Sequence, residues 1–195
     1  MNFDFTGWTI VFDLDGTLVE TAPDLHAALN HTLDRKRLPP VSLDSIRMMI
    51  GDGAKALIRK GLNEHGAKVD EDEIESELWP VFLDHYLENI TRLSAPFDRC
   101  LETLESLKSA GATLTVCTNK AQHLAEQVLS GLQMDPYFSA TIGGDALDLK
   151  KPDGQHIIET VHKGNGDPSR AIMVGDAWTD ERAARDAALP FVFVS

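Results

Sequence analysis

The sequence predicts an α/β fold with a mostly parallel sheet, interrupted once by an all-helical insertion. Three observations predict it. Short runs of β-branched and apolar residues recur, each bounded by turn residues. Segments of helical period separate most of these runs, which is the alternation of βαβ units. From about residue 20 to about residue 90 the strand runs cease and only helical patterns remain.

The first strand is WTIVFD at 8–13, stopped by the turn-forming DLDGT that follows. The insertion then carries four helical stripes. Leu25, Ala28, Leu29 and Leu33 run up to the Pro39-Pro40 stop, and Ile46, Met49 and Ile50 run up to Gly51-Asp52-Gly53. Leu57, Ile58 and Leu62 form the third, and Ile74, Leu78, Val81 and Phe82 the fourth. The acidic run VDEDEIESE at 69–77 reads as a solvated face whose carboxylates favour a helix start, rather than as a cation site. After the insertion, Leu101, Leu104, Leu107 and Ala110 make a stripe ended by Gly111, and ATLTVCT at 112–118 is the second strand. Leu124, Val128, Leu129 and Leu132 end before Pro136, followed by a weaker strand, FSATIGG, at 138–144. Ile157, Ile158 and Val161 mark the next helix, AIMVGD at 171–176 the next strand, and PFVFVS the last. The division expected is a core of 1–17 and 92–195 with a helical cap of 18–91.

A chain of 195 residues can bury a core without disulfides or metal staples. Its 31 acidic against 18 basic residues give a net charge of -13, which argues against nucleic acid and anionic membranes as partners. No run approaches the roughly 20 apolar residues of a membrane span. MNFDFTGWTI lacks the basic and apolar regions of a secretion signal, so the cytoplasm is the expected location. Cys100 and Cys117 form no disulfide framework, and Cys117, inside a strand run, reads as a small buried hydrophobe. The seven histidines show no metal-ligand spacing and receive no role.

Ligands of open parallel sheets gather outside the carboxyl ends of the strands. There the first strand ends in Asp13-Leu14-Asp15-Gly16-Thr17, the second in Thr118-Asn119-Lys120, and a later one in Gly175-Asp176, with Asp180 four residues on. Side chains at i and i+2 of an extended segment point the same way, so Asp13 and Asp15 are expected to share a pocket, joined by Asp176. Carboxylates packed so closely repel one another unless a cation neutralises them, and hard oxygen donors suit Mg²⁺. Thr118, Asn119, Lys151 and the backbone N–H groups after Asp15 and Thr118 are anion binders. Taken singly, each has a plain structural use, such as an Asx turn for DxDGT or a helix N-cap for Asp176. Taken together they fit a phosphoryl group beside a divalent cation.

The same residues carry a resemblance to the haloacid dehalogenase superfamily and, within it, to the bacterial phosphoglycolate phosphatases. DLDGT, TVCTNK, KKPD and GDAWTD match its four motifs in order, and TAPDLHAALN, IGDGAKALIRKGL and IGGDALDLKKPD extend the likeness along nearly the whole chain. The resemblance implies a Rossmann-like core with a helical cap. It implies Asp13 as a nucleophile forming an aspartyl-phosphate, and Asp15 as general acid, then base. It implies Mg²⁺ held by Asp13, the Asp15 backbone carbonyl and Asp176, with Asp180 direct or one shell out, and a phosphoryl seat of Thr118, Asn119 and Lys151. Departures from the family pattern are Glu20, Gly154, Ala177 and Ala188, and the end at Ser195 directly after a strand, where an uncovered sheet edge would favour association.

The expected substrate is a small phosphomonoester such as phosphoglycolate, and the protein a monomer or homodimer. Arg47, Lys55 and Arg59 flank Gly51-Asp52-Gly53 over the pocket, and one of them is expected to pair with a substrate carboxylate. Alternatives are a phosphatase of other small esters, a phosphomutase, or a non-enzymatic receiver-like or inactive binding module. A receiver takes its phosphoacceptor from a later strand than its acidic pair and lacks a large insert.

Overall fold

The computed structural model describes residues 4–194. Five parallel strands form the sheet: β1 (Thr9–Phe12), β4 (Thr113–Cys117), β5 (Ala140–Ile142), β6 (Ala171–Gly175) and β7 (Phe191–Phe193), in the spatial order β5-β4-β1-β6-β7. All five expected strands are present. β1 lies at the centre, with Ile10 beside Leu114 on one side and Ile172 on the other. Each strand alternates its faces. Val11, Cys117, Ala171 and Met173 meet α8 (Gly154–Lys163) and α9 (Trp178–Asp186). Ile10, Phe12, Leu114 and Val116 meet α6 (Cys100–Ser109) and α7 (Gln122–Gly131). Burial on both faces is why the strand sequences are almost continuously apolar. Leu101, counted in the α6 stripe, stays 40 % exposed.

The helical segment comprises α1 (Ala22–Arg35), α2 (Leu43–Met49), α3 (Ala54–Glu64), α4 (Glu71–Glu73) and α5 (Trp79–Glu88), the last two joined by a π-helical turn at Ile74–Leu78. The four expected stripes supply its interior: Leu25, Leu29, Leu33, Ile46, Leu57, Ile58, Leu62, Ile74, Leu78 and Phe82 are buried. The acidic run starts a helix as expected, with Asp70 accepting from the Asp72 and Glu73 amides. Its face is not simply solvated, because Lys36 meets Glu73, Lys55 meets Glu75 and Arg59 meets Glu71.

A feature with no periodicity to announce it ties the segment to the sheet. β2 (Val19–Glu20) pairs antiparallel with β3 (Ala95–Pro96), two residues on each side. Beside this ribbon, the buried Asp24 carboxylate accepts from the Leu93 and Ser94 amides and the Ser94 hydroxyl. Alongside, an apolar groove of about 620 Å³ runs from Leu18 and Phe97 between α6 and the Ile172, Val174, Val192 and Val194 side chains. Val192 and Phe193 are exposed on the β7 edge.

Candidate active site

The DLDGT turn places the first two carboxylates. Asp13 extends β1 by donating its N–H to the Val174 carbonyl, and the chain then folds back so that the Leu18 and Val19 amides reach the Leu14 carbonyl. Gly16 lies at φ +89, and a Cβ there would sit 2.3 Å from Asp176 Oδ2. Glycine is therefore needed twice over, for the backbone conformation and for the approach of Asp176. Asp176 itself follows β6 directly, and Thr17 Oγ1 donates to its Oδ1 at 2.6 Å. Asp180 comes from the first turn of α9, where its Oδ2 accepts from the Ala177 amide at 3.0 Å.

Oxygens of Asp13, Asp176 and Asp180 all lie within 4.8 Å of one another. Lys151 Nζ reaches Asp13 Oδ1 at 2.8 Å and Asp180 Oδ1 at 2.7 Å, with side chains that are 1 %, 6 % and 0 % exposed. These are ion pairs by distance, without hydrogen-bond alignment. Burial drives Asp13 well above the usual carboxylate range; Lys151 pulls it back, and Asp180 pushes it up again. Burial likewise raises Asp176, aided by Asp180 and opposed by the Thr17 hydrogen bond. For Lys151, burial disfavours the ammonium, but Asp13 and Asp180 outweigh it and keep it charged. Two acids thus pair with one buried cation, and a third, Asp176, stands within reach of both. An all-oxygen set with excess negative charge fits a hard divalent ion such as Mg²⁺.

Asp15 takes a different environment from its neighbour Asp13. Its carboxylate accepts from Lys120 Nζ at 2.9 and 3.1 Å and from Thr21 Oγ1 at 2.7 Å. Lys120 Nζ in turn sits 4.9 Å from the centre of the Tyr86 ring, which α5 brings in from the helical segment. Burial opposes the charge on Lys120, yet Asp15 and Tyr86 more than offset it, so its pKa is raised.

The other expected anion binders surround this centre. Thr118 is buried at the end of β4, and its Oγ1 accepts from the Lys120 amide. Asn119 Nδ2 donates to the Gly51 and Lys151 carbonyls at 2.9 and 3.0 Å, joining the α2–α3 loop to the lysine loop, while its Oδ1 is buried without a partner. The three cap cations are not gathered there. Arg47 pairs with Glu20 and Asp44, Lys55 with Glu75, and Arg59 with Glu71.

Four residues given no role from the sequence belong to these networks: Thr17, Thr21, Tyr86 and His156. His156, at the start of α8, is fully buried, and its Nδ1 accepts from the Lys151 amide at 3.2 Å. Lys120 stood in the TNK run, where a lysine at a strand's carboxyl end was a usable signal. Cys117 is buried as expected, and burial pushes its thiol up to about 12, leaving no reactive thiolate.

An acidic rim around a buried lysine, at the carboxyl ends of a parallel sheet under a helical segment, defines a hydrolase of the phosphatase class. The comparisons with known proteins agree. A family model described as haloacid dehalogenase-like hydrolase matches residues 10–194. A phosphoglycolate phosphatase of Caulobacter vibrioides is 46% identical over 98% of this chain and 81% of its own length. One from Agrobacterium fabrum is 42% identical over 95% and 79%. The crystal structure of a predicted phosphoglycolate phosphatase from Haemophilus somnus 129pt superposes with a TM-score of 0.88 at 32% identity, covering 97% of this chain and 85% of that one. The chain belongs to the haloacid dehalogenase-like hydrolase family.

Proposed function

We propose that the protein is a divalent-metal-dependent phosphatase that hydrolyses a small phosphomonoester, 2-phosphoglycolate, to the alcohol and phosphate. The observation that carries this reading is the buried Asp13–Lys151–Asp180 cluster with Asp15 two residues from Asp13. The relatives named as phosphoglycolate phosphatases support the choice of substrate.

In the first half-reaction an Asp13 carboxylate oxygen attacks phosphorus and the P–O bond to the alcohol breaks. Asp15 gives its proton to the departing alkoxide. In the second, Asp15 takes a proton from water, the water oxygen attacks phosphorus, and the P–O bond to Asp13 breaks. The sum is ester plus water to alcohol plus phosphate. Asp13, Asp176 and Asp180, with the Asp15 carbonyl, would hold Mg²⁺, which supplies charge neutralisation at the transferring group. Lys151 places a fixed positive charge beside the nucleophile, and the Thr118 hydroxyl and Asn119 backbone N–H stand at the same rim as phosphoryl-oxygen donors. For a chain of net charge -13 this local positive charge is what admits an anionic substrate.

Among the described residues no helix is long and apolar enough to cross a membrane. The test is phosphate release from 2-phosphoglycolate with and without Mg²⁺. Multiple turnovers that stop on chelation and resume on Mg²⁺ addition support the reading; no release under either condition overturns it.

A further inference from the structure

Beside Asp15, between the sheet and the helical segment, lies a partly enclosed cavity of about 30 Å³. That is room for about two waters, or for one small polar group. Its polar wall combines Asp15, Lys120 and Tyr86 with the backbone at Gly51, Gly53 and Ala54, and apolar side chains including Leu25, Leu57 and Leu124 complete it. Three features of that wall favour an anion. Lys120 carries three N–H donors, of which two are taken by the Asp15 oxygens, leaving the third on the Tyr86 side of a side chain 5 % exposed. Tyr86 is fully buried, and its hydroxyl hydrogen-bonds to nothing among the described residues, although the Lys120 ammonium is near. The N-terminus of α3, an 11-residue helix, opens onto the cavity at Gly53 and Ala54, and no side chain caps it. Free amides and the helix dipole both favour negative charge there. The one opposing charge is Asp15, which Lys120 already neutralises.

The cavity touches Asp15, the group that serves the leaving alcohol, so a substituent on that alcohol can reach it. We propose that this cavity is the seat of a carboxylate on the leaving group, bound by Lys120, Tyr86 and the α3 N-terminus. It selects small acid-bearing phosphomonoesters over neutral ones. The inference rests on the phosphatase reading above and adds the residues that choose the substrate. Its size suits a single carboxylate. It also relocates selection from the cap cations Arg47, Lys55 and Arg59, whose charged ends have acidic partners and do not line the cavity.

The test compares 2-phosphoglycolate with ethyl phosphate, which replaces the carboxylate by a methyl group, in wild type, Lys120→Met, Lys120→Arg and Tyr86→Phe with saturating Mg²⁺. Wild type is expected to show the lower KM for the acid. Lys120→Met should raise the KM for 2-phosphoglycolate about 10-fold or more relative to that for ethyl phosphate, the scale of a lost charge-assisted hydrogen bond. Lys120→Arg should recover part of that ratio. Tyr86→Phe, which removes one oxygen and keeps the packing, should move the ratio the same way by roughly 3-fold. This second variant keeps the test open if Lys120→Met fails to fold. Equal losses on both esters in both variants would mean that Lys120 and Tyr86 only position Asp15, and would overturn the seat. So would a wild type that hydrolyses both esters with equal KM, leaving the phosphatase reading intact. A wild type that hydrolyses neither ester overturns both.

Discussion

Lys151 and Lys120 are both buried ammonium groups held by aspartates of the same DLD turn, but the walls around them come from different parts of the molecule. Lys151 is enclosed by Asp13 at the end of β1 and Asp180 on α9, and His156 on α8 accepts from its amide. Sheet and flanking helices supply all its charged groups, and the helical segment meets it only through backbone carbonyls, Gly51 to Asn119 and Asp52 to Lys150. Lys120 is enclosed by Asp15, by Thr21 at the head of the helical segment and by Tyr86 on α5. Half of its wall therefore belongs to the insertion. A centre whose charged groups all come from the sheet and its flanking helices depends least on the helical segment. One shared between two units can sense what lies between them. The contrast assigns transfer of the phosphoryl group to the first lysine and choice of the leaving group to the second.

The largest effect expected tests that assignment at Asp13. Asp13→Asn keeps the shape but removes the nucleophile, so kcat for both 2-phosphoglycolate and ethyl phosphate should fall by roughly 10⁴-fold or more. Circular dichroism should be unchanged. Hydrolysis that persists on either ester would remove the covalent route and, with it, the special standing of the Lys151 centre.

Lys151→Met should then show how strongly that centre depends on its one cation. Without Lys151 the buried Asp13 and Asp180 carboxylates face each other, and removing one partner of a buried pair costs about 3–5 kcal/mol. Urea unfolding in metal-free buffer should register a loss of that order, partly restored by Mg²⁺. Equal loss with and without Mg²⁺ would mean that the three carboxylates do not act as a cation site.

How much of this contrast the sequence carried follows from what each centre is made of. The Lys151 centre was legible because strand ends, glycines and acids leave local marks: the apolar run closing on Asp13, the Gly16 turn, and Gly175-Asp176. The five strands were readable for the same reason, since burial on both faces requires almost unbroken apolar runs. The Lys120 centre was legible only in part. Lys120 stood in plain view, but Tyr86 lies four residues beyond Phe82 on an ordinary apolar stripe, and no local pattern says that a helix will carry it to Asp15. The β2–β3 ribbon, two residues a side, is too short to show a period. His156 was lost among scattered histidines because its partner is a backbone amide, which no spacing announces. Arg47, Lys55 and Arg59 drew attention as cations near a glycine break, while the acids that hold them are spread between residues 20 and 75.

His156 offers a test that touches the Lys151 side alone. Burial first, and the Lys151 charge second, depress its pKa from 6.5 to about 4. The unfolded chain takes up this proton below about 6.5, whereas the folded one resists until about 4. The neutral imidazole's contribution is therefore fully present above 6.5 and lost as the pH falls through that window. By pH 4 the loss should reach on the order of 2–3 kcal/mol. His156→Gln offers the Lys151 amide an acceptor that does not titrate. The difference in urea stability between wild type and variant should shrink or reverse between pH 7 and pH 4.5, and a difference independent of pH would show that His156 is charged or solvated in the folded protein.

The smallest effect expected sets the boundary of the Lys120 centre. Lys55 stands on the first turn of α3, close in sequence to Gly53 and Ala54 of the cavity wall, and by sequence alone it competes with Lys120 for a substrate carboxylate. Its ammonium instead meets Glu75 at 2.6 Å and lies 5.5 Å from the Trp79 ring centre, with side chains 44 % and 63 % exposed in the ion pair. An exposed pair of this kind contributes about 0–1 kcal/mol and is screened by salt. Lys55→Ala should therefore lower stability by less than about 1 kcal/mol. It should change the KM values for 2-phosphoglycolate and ethyl phosphate by the same factor, below about 2-fold, since a distant screened charge acts on both dianionic phosphates alike. A selective rise in KM for the acid-bearing ester would show that Lys55 leaves Glu75 when substrate arrives. In that event the carboxylate would be read on the face of the insertion, and Lys120 would be left with the orientation of Asp15.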